Sequence, residues 1–276
     1  MTLNRITAFM IPLILFGCGR NAVDPLQRAY QELRSVPRDR WEALAGKKIF
    51  FGHHSVGRNI LDGLAQVMKA EPAVRLNIRE TADPAAFSDP VLAHATVGRN
   101  RDPLGKIDEF RRLLEGGIGR VADIAFFKLC FVDIDRKTDI EALFARYERT
   151  FAELTTSFPG LTIIPVTVPL TNHDPGLKAR IKRLLGRGPA ILEDNAVRNR
   201  FNTLVREKHG SAVWDLAGAE STTAAGTRVS VSDGERIVLL MNPAYTSDGG
   251  HLNAAGSQAV AIDLLIKLAG IAPQRD

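Results

Sequence analysis

Lys47-Lys-Ile-Phe-Phe-Gly52-His53-His54-Ser55-Val56-Gly57 takes a short apolar run into glycine and serine. From about Arg58 to Lys69 the chain then places Ile60, Leu61, Leu64, Val67 and Met68 on one side. A continuous apolar run that gives way to helical spacing predicts strand, tight turn, helix. A serine at such a junction lies at the C-terminal edge of a parallel sheet, where open α/β folds bind ligands. The first amides of the following helix can face developing negative charge there. Ser55 is therefore the candidate nucleophile. Read by itself, it serves equally as an N-cap whose hydroxyl satisfies only the helix.

The partner block lies near the other end of the chain. Asp248-Gly-Gly-His251-Leu-Asn-Ala-Ala-Gly256 sets an acid three residues before a histidine, just ahead of the apolar run that reads as the last helix. A histidine titrates close to neutral pH, and a nearby carboxylate fixes its tautomer and stabilises the imidazolium formed in acyl transfer. Asp248 and His251 are thus an acid and base lacking only a nucleophile. Alone, the pair also fits a metal fragment or a helix-initiating turn capped by Asn253.

Between the blocks, strand-like and helix-like runs alternate, which predicts a three-layer α/β/α sandwich around a mostly parallel five-stranded sheet. Beyond the opening strand, Ala73 to Arg79, Ala122 to Phe131, Leu161 to Pro169 and Ala212 to Asp215 read as strands. Helices are expected near Pro103, from Asp139 to Thr156 and from Asp194 to Lys208. The glycine- and serine-rich stretch Ala217 to Gly234, followed by Ile237 to Met241, reads as an insertion that delivers Asp248 and His251.

With both blocks in hand, the chain resembles the SGNH (GDSL-like) hydrolase superfamily, over roughly Lys47 to Ala269. The family's chain order of serine, acid, histidine is matched by Ser55, Asp248 and His251, and Asp-Gly-x-His-Leu-Asn-x-x-Gly is close to its usual late block. The early block departs from it, since His53-His54-Ser55 stands where Gly-Asp-Ser is usual. The resemblance implies a flavodoxin-like sheet, with oxyanion donors from a glycine amide and an asparagine side chain. The glycine falls on Gly98. The asparagine block falls on Cys130-Phe131-Val132-Asp133, where valine cannot donate, and loss of one such donor costs on the order of a hundredfold in rate. Asn100 and Lys128 are the candidate substitutes, Lys128 being equally readable as an edge residue or a substrate contact. His54 is expected to line the pocket where the family has aspartate, Asn172 and His173 to contact substrate, and Asp133 to position a loop or cap a helix. The implied activity is cleavage of small acyl esters, including O-acetyl groups on cell-envelope polysaccharide, through an acyl-enzyme without metal or cofactor. An O-acyltransferase using the same triad, or a surface carbohydrate-binding or assembly protein that has lost catalysis, are the alternatives.

Composition sets the surroundings. At 45% hydrophobic and 24% charged residues over 276 positions, the chain is ordinary for one soluble globular domain. The formal charge of +5 is scattered, and the few aromatics make no stacking platform, so nucleic acid is not an expected partner. The densest basic stretch, Lys178 to Arg187, alternates with leucine and isoleucine and reads as a solvated helix face. His53, His54, His94, His173 and Asp174 show no metal-ligand spacing. Residues 1–17 have the layout of a bacterial signal peptide, with Arg5 before the apolar run Ile6 to Phe16. Leu15-Phe16-Gly17-Cys18 resembles a lipobox, which predicts lipidation of Cys18 and a membrane tether in the cell envelope. Residues 18–45 then form a tether and helical arm, and 46–276 the hydrolase-like domain, expected as a monomer. With Cys18 consumed, Cys130 has no disulfide partner and reads as a small buried apolar residue.

Overall fold

In the computed structural model, which describes residues 25–172, 190–233 and 236–271, Lys48–His53 is the central strand, β1. Its successive side chains point to opposite faces, as the two-residue period of a strand requires. Phe50 stacks on Phe110 on one face, and Phe51 stacks on Phe126 and meets His53 at a tilt on the other. Each face thus nucleates its own core, a fully buried phenylalanine being worth about 1.5–3 kcal/mol.

The other strands of the main sheet are β2 (Ile78–Glu80), β3 (Val91–Thr96), β4 (Ile124–Phe127) and β5 (Thr162–Ile163), all parallel, in the order β2-β3-β1-β4-β5. The chain returns from β3 across β1 to reach β4. The C-terminal end of β1 therefore lies where connections leave in opposite directions, the usual place for a ligand crevice.

The fold class is the expected three-layer α/β sandwich, but several strands are not where periodicity puts them. Ala73 to Arg79 contributes only its last residues, because Val74 N donates to Glu71 O in a turn. The strand Val91–Thr96 is absent from the sequence reading: two alanines and a histidine give it little β-propensity. Leu161 to Pro169 pairs over two residues before Pro165, which has no amide to donate. Ala212 to Asp215 makes one parallel bridge, Trp214 to Val166, since Asp215 turns to cap the next helix through Gly218 N.

Helices α1 (Pro25–Ser35), α2 (Arg38–Ala45), α3 (Val56–Ala70) and the last helix, Ala254–Ile271, cover one face. From Pro25 onward the arm packs on the domain, with Leu33, Trp41 and Leu44 buried in that core. The opposite face carries α4 (Pro103–Leu113), α5 (Ile140–Ser157) and α6 (Ala190–His209), packed through Ile107, Phe110, Tyr147, Phe151 and Phe201. Asp102 and Asp139 cap α4 and α5 by accepting from Gly105 N and Ala142 N. After α6 the chain forms α7 (Leu216–Ser221) and an antiparallel pair, β6 (Ser230–Asp233) and β7 (Arg236–Leu239), within the predicted insertion. Ala254–Ile271 completes the set as α8.

α3 and α8 approach closely at Gly63, where a Cβ would lie 2.1 Å from the Ser257 carbonyl oxygen. Only glycine allows that separation. The expected signal peptide at residues 1–17, Cys18, His173, Asp174 and the basic stretch Lys178 to Arg187 lie outside the described residues.

Two buried titratable groups give the fold opposing pH dependences. Burial pushes the Glu220 carboxyl up to about 8, although Leu170 N donates to it and the Lys128 charge opposes the rise. Burial, followed by the charges of His94 and Lys128, drives His53 down to about 3. Between the usual carboxyl value of 4.5 and about 8, Glu220 ionises only in the unfolded chain, so stability is lost as pH rises through that window. For His53 the loss comes as pH falls from 6.5 toward 3. Chemical denaturation of Glu220→Gln beside the wild type from pH 5 to 8 is expected to favour the variant progressively, by up to about 1.4 kcal/mol per pH unit. A difference that stays constant with pH contradicts the assignment.

Candidate active site

Ser55 joins β1 to α3 with φ of +49° and ψ of −111°, a left-handed conformation that costs a non-glycine residue on the order of 1–3 kcal/mol. Its hydroxyl makes no capping bond to the helix. Oγ instead lies 2.8 Å from Nε2 of His251, across 196 positions of sequence. The N-cap reading of Ser55 is thereby excluded: the residue starts the helix, and its hydroxyl points elsewhere.

His251 is held by a local turn. Asp248 Oδ1 accepts from the amides of Gly250 at 2.9 Å and His251 at 2.7 Å, while Oδ2 lies 2.7 Å from His251 Nδ1. The two amides, with the imidazole adding to them, hold the Asp248 carboxyl well below the usual carboxylate range. An ionised Oδ2 requires a proton on Nδ1, which leaves Nε2 to accept from the serine hydroxyl. The Phe131 ring packs edge-on against the imidazole, and Asn253 caps α8 through Gly256 N. Aspartate, histidine and serine thus form one continuous proton path at the end of β1.

The loop after β3 forms the other wall. Gly98 has φ of +63°, and a Cβ there would lie 2.6 Å from Lys106 Cγ, so this position demands glycine twice over. Lys106, fully buried, donates to Asp133 Oδ2 at 2.6 Å and to Asn100 Oδ1 at 3.1 Å. Asp133 also accepts from Arg101 N at 2.7 Å and Cys130 N at 2.6 Å. The buried ion pair therefore ties the Gly98 loop to the turn at Phe131–Asp133. Asp133 is the loop-positioning residue that its place suggested. Lys106 escaped the sequence reading, although a lysine one turn before Phe110 on an apolar stripe was a detectable signal.

The remaining predicted residues are differently placed. Lys128 is no edge residue: it follows β4, an interior strand, and is 1% exposed. Its ammonium donates to the Leu129 carbonyl and to the Cys130 sulfur, 3.3 Å away, beneath the site. His54 is half-buried and shifted toward the neutral form by burial and then by the charges of Lys106 and Lys128. His53 Nε2 lies 3.1 Å from His94 Nδ1 in a buried pair. Asn172 lines the cleft, but its amide nitrogen is used on the Met241 carbonyl and its backbone N on Gly249, so it anchors the loop carrying Asp248.

A cleft of about 710 Å³ opens beside His251 and Asp248, lined also by Phe131, Val132, Arg101 and Arg198 among others. Val132 faces it with a side chain that has nothing to donate. Arg198 was not read from the sequence, where it is one of several cations along a long polar helix.

No protein-family model and no curated protein matches the chain. Among solved structures, a chain from Streptococcus pneumonia, described provisionally as a platelet activating factor, is similar at 16% identity. The match covers 88% of this chain and 97% of that one, with a TM-score of 0.48.

Removing one partner of the buried pair leaves the other charge stranded. Asp133→Ala is expected to lose about 3–5 kcal/mol in urea unfolding, and Lys106→Met with Asp133→Leu to recover much of it. A loss below about 1 kcal/mol in the single variant would show that the ion pair does not hold the loop.

Proposed function

We propose that this chain is a serine esterase of the SGNH type that removes small acyl groups, including O-acetyl groups on cell-envelope polysaccharide. The observation that carries this reading is the unbroken relay from Ser55 Oγ through both nitrogens of His251 to Asp248. Nε2 takes the serine proton as Oγ attacks the ester carbonyl, and Asp248 stabilises the imidazolium that results. The imidazolium then protonates the departing alcohol, leaving an acyl group on Ser55. Water repeats the sequence in reverse and releases the acid. The lipobox-like ending at Cys18 supports a site of action at the cell envelope.

The oxyanion falls to the amides of Ser55 and Gly98, and the vacancy left by Val132 falls to Asn100. Lys106 occupies the Asn100 carbonyl oxygen, which directs the Nδ2 donor away from the ammonium. Asn100→Ala is expected to lower kcat by about a hundredfold with KM little changed. A change in KM alone would make Asn100 a binding residue instead.

A fluorophosphonate probe tests the reading itself. Labelling at Ser55 is expected, abolished in Ser55→Ala and slowed on the order of a thousandfold or more in His251→Ala. A protein that takes no label yet retains polysaccharide is a binding protein on this fold, and the esterase reading is then wrong.

A further inference from the structure

The cleft beside His251 contains a cation that has no counter-ion among the described residues. Arg198, on α6, is 5% exposed. Its Nε donates to the carbonyls of Phe131 at 2.8 Å and Ile134 at 3.0 Å. Its Nη1 donates to Thr171 Oγ1 at 3.1 Å and Asn195 Oδ1 at 2.9 Å. All four acceptors are neutral, and among the described residues no carboxylate oxygen lies within 4.0 Å of the guanidinium. The remaining nitrogen, Nη2, donates to none of the described residues, and the residue lines the cleft. Burial lowers the group only to about 10, so the charge persists at neutral pH.

Two acids on the same cleft wall do not supply the missing partner. Asp135 accepts from Lys137 N and Thr138 Oγ1, and Asp194 accepts from Arg136 N with the Arg136 guanidinium beside it. Both act on Arg198 only from a distance. Arg101 adds a second cation to the lining. The arginine is also coupled to the reaction centre, because its guanidinium lies over the Phe131 ring, 5.9 Å from the centroid, and that ring meets His251 edge-on. A desolvated cation favours an anion, and because no carboxylate among the described residues is placed against it, that role is open to a ligand.

We propose that the substrate of this site carries a carboxylate beyond the scissile ester, as an O-acylated sugar acid does, and that Arg198 recognises it through Nη2. The proposal rests on the esterase reading and adds the class of alcohol. One available guanidinium nitrogen suits a singly charged carboxylate. Recognition of this kind favours the charged substrate over a neutral isostere, since the isostere leaves the buried charge unpaired.

The test uses chemically O-acetylated polygalacturonate and the same polymer with its carboxyls converted to primary amides, with acetate release as the readout. The wild type is expected to show at least a tenfold higher kcat/KM on the acid. Arg198→Gln should bring the ratio near one, and Arg198→Lys should keep part of the preference. Each ratio compares two substrates on one preparation, so partial loss of fold in a variant cancels. A wild-type ratio near one, or an undiminished ratio in Arg198→Gln, overturns the assignment. Release from neither polymer by a protein that still hydrolyses 4-nitrophenyl acetate overturns this inference alone. Inertness toward all three substrates removes the esterase reading and this inference with it.

Discussion

The contact between α3 and α8 brings together two groups that lie 196 residues apart, the hydroxyl that starts one helix and the imidazole just before the other. Closing a loop of that length costs about 5 kcal/mol of chain entropy, while a hydrogen bond returns only about 0.5–1.5 kcal/mol. The serine–histidine bond cannot assemble the site. Burial of Ile60, Leu64, Val67, Val260, Leu264 and Leu265 in the same core can, at about 1.5–3 kcal/mol each. Gly63 lets the helices approach until its missing side chain would strike the Ser257 carbonyl. The relay is thus a consequence of core packing, and its distances are set by residues that take no part in chemistry.

Around that scaffold, polar groups are arranged so that each functional atom has one remaining option. The turn amides hold Asp248 ionised, and Asp248 in turn settles which imidazole nitrogen is free. The Asp133–Lys106 pair fixes the Gly98 loop and occupies one end of the Asn100 amide. The left-handed backbone at Ser55 turns its hydroxyl off the helix end and onto His251. These are costs in isolation, since a strained serine and a buried ion pair both destabilise the fold relative to relaxed or apolar alternatives. Their placement at one sheet edge is what preorganised chemistry requires.

How much of this was legible in the sequence follows from the range of each interaction. The strand–turn–helix at Ser55 and the turn at His251 are local, so periodicity and residue type located both, and the layered parallel fold came with them. Val91–Thr96 was not legible, because a strand of alanine and histidine is stabilised by its neighbours β1 and β2 and not by its own propensity. The edge alternative for Lys128 fails for the complementary reason: a lysine in an apolar run suggests an edge, whereas this one reaches a carbonyl and a sulfur in the interior. Asp133 was read correctly as a positioner, but its partner Lys106 lies in another element. Arg198 resembled any surface cation until the fold placed it on the cleft wall.

The central claim is that Ser55 carries the acyl group during turnover. Rapid quenching of the protein with a chromogenic acyl ester, followed by mass analysis of the peptide containing Ser55, addresses it most directly. The account predicts a burst of alcohol equal to the enzyme present and an acyl adduct on that residue, both lost in Ser55→Ala. Turnover with no burst and an unmodified Ser55 would contradict it.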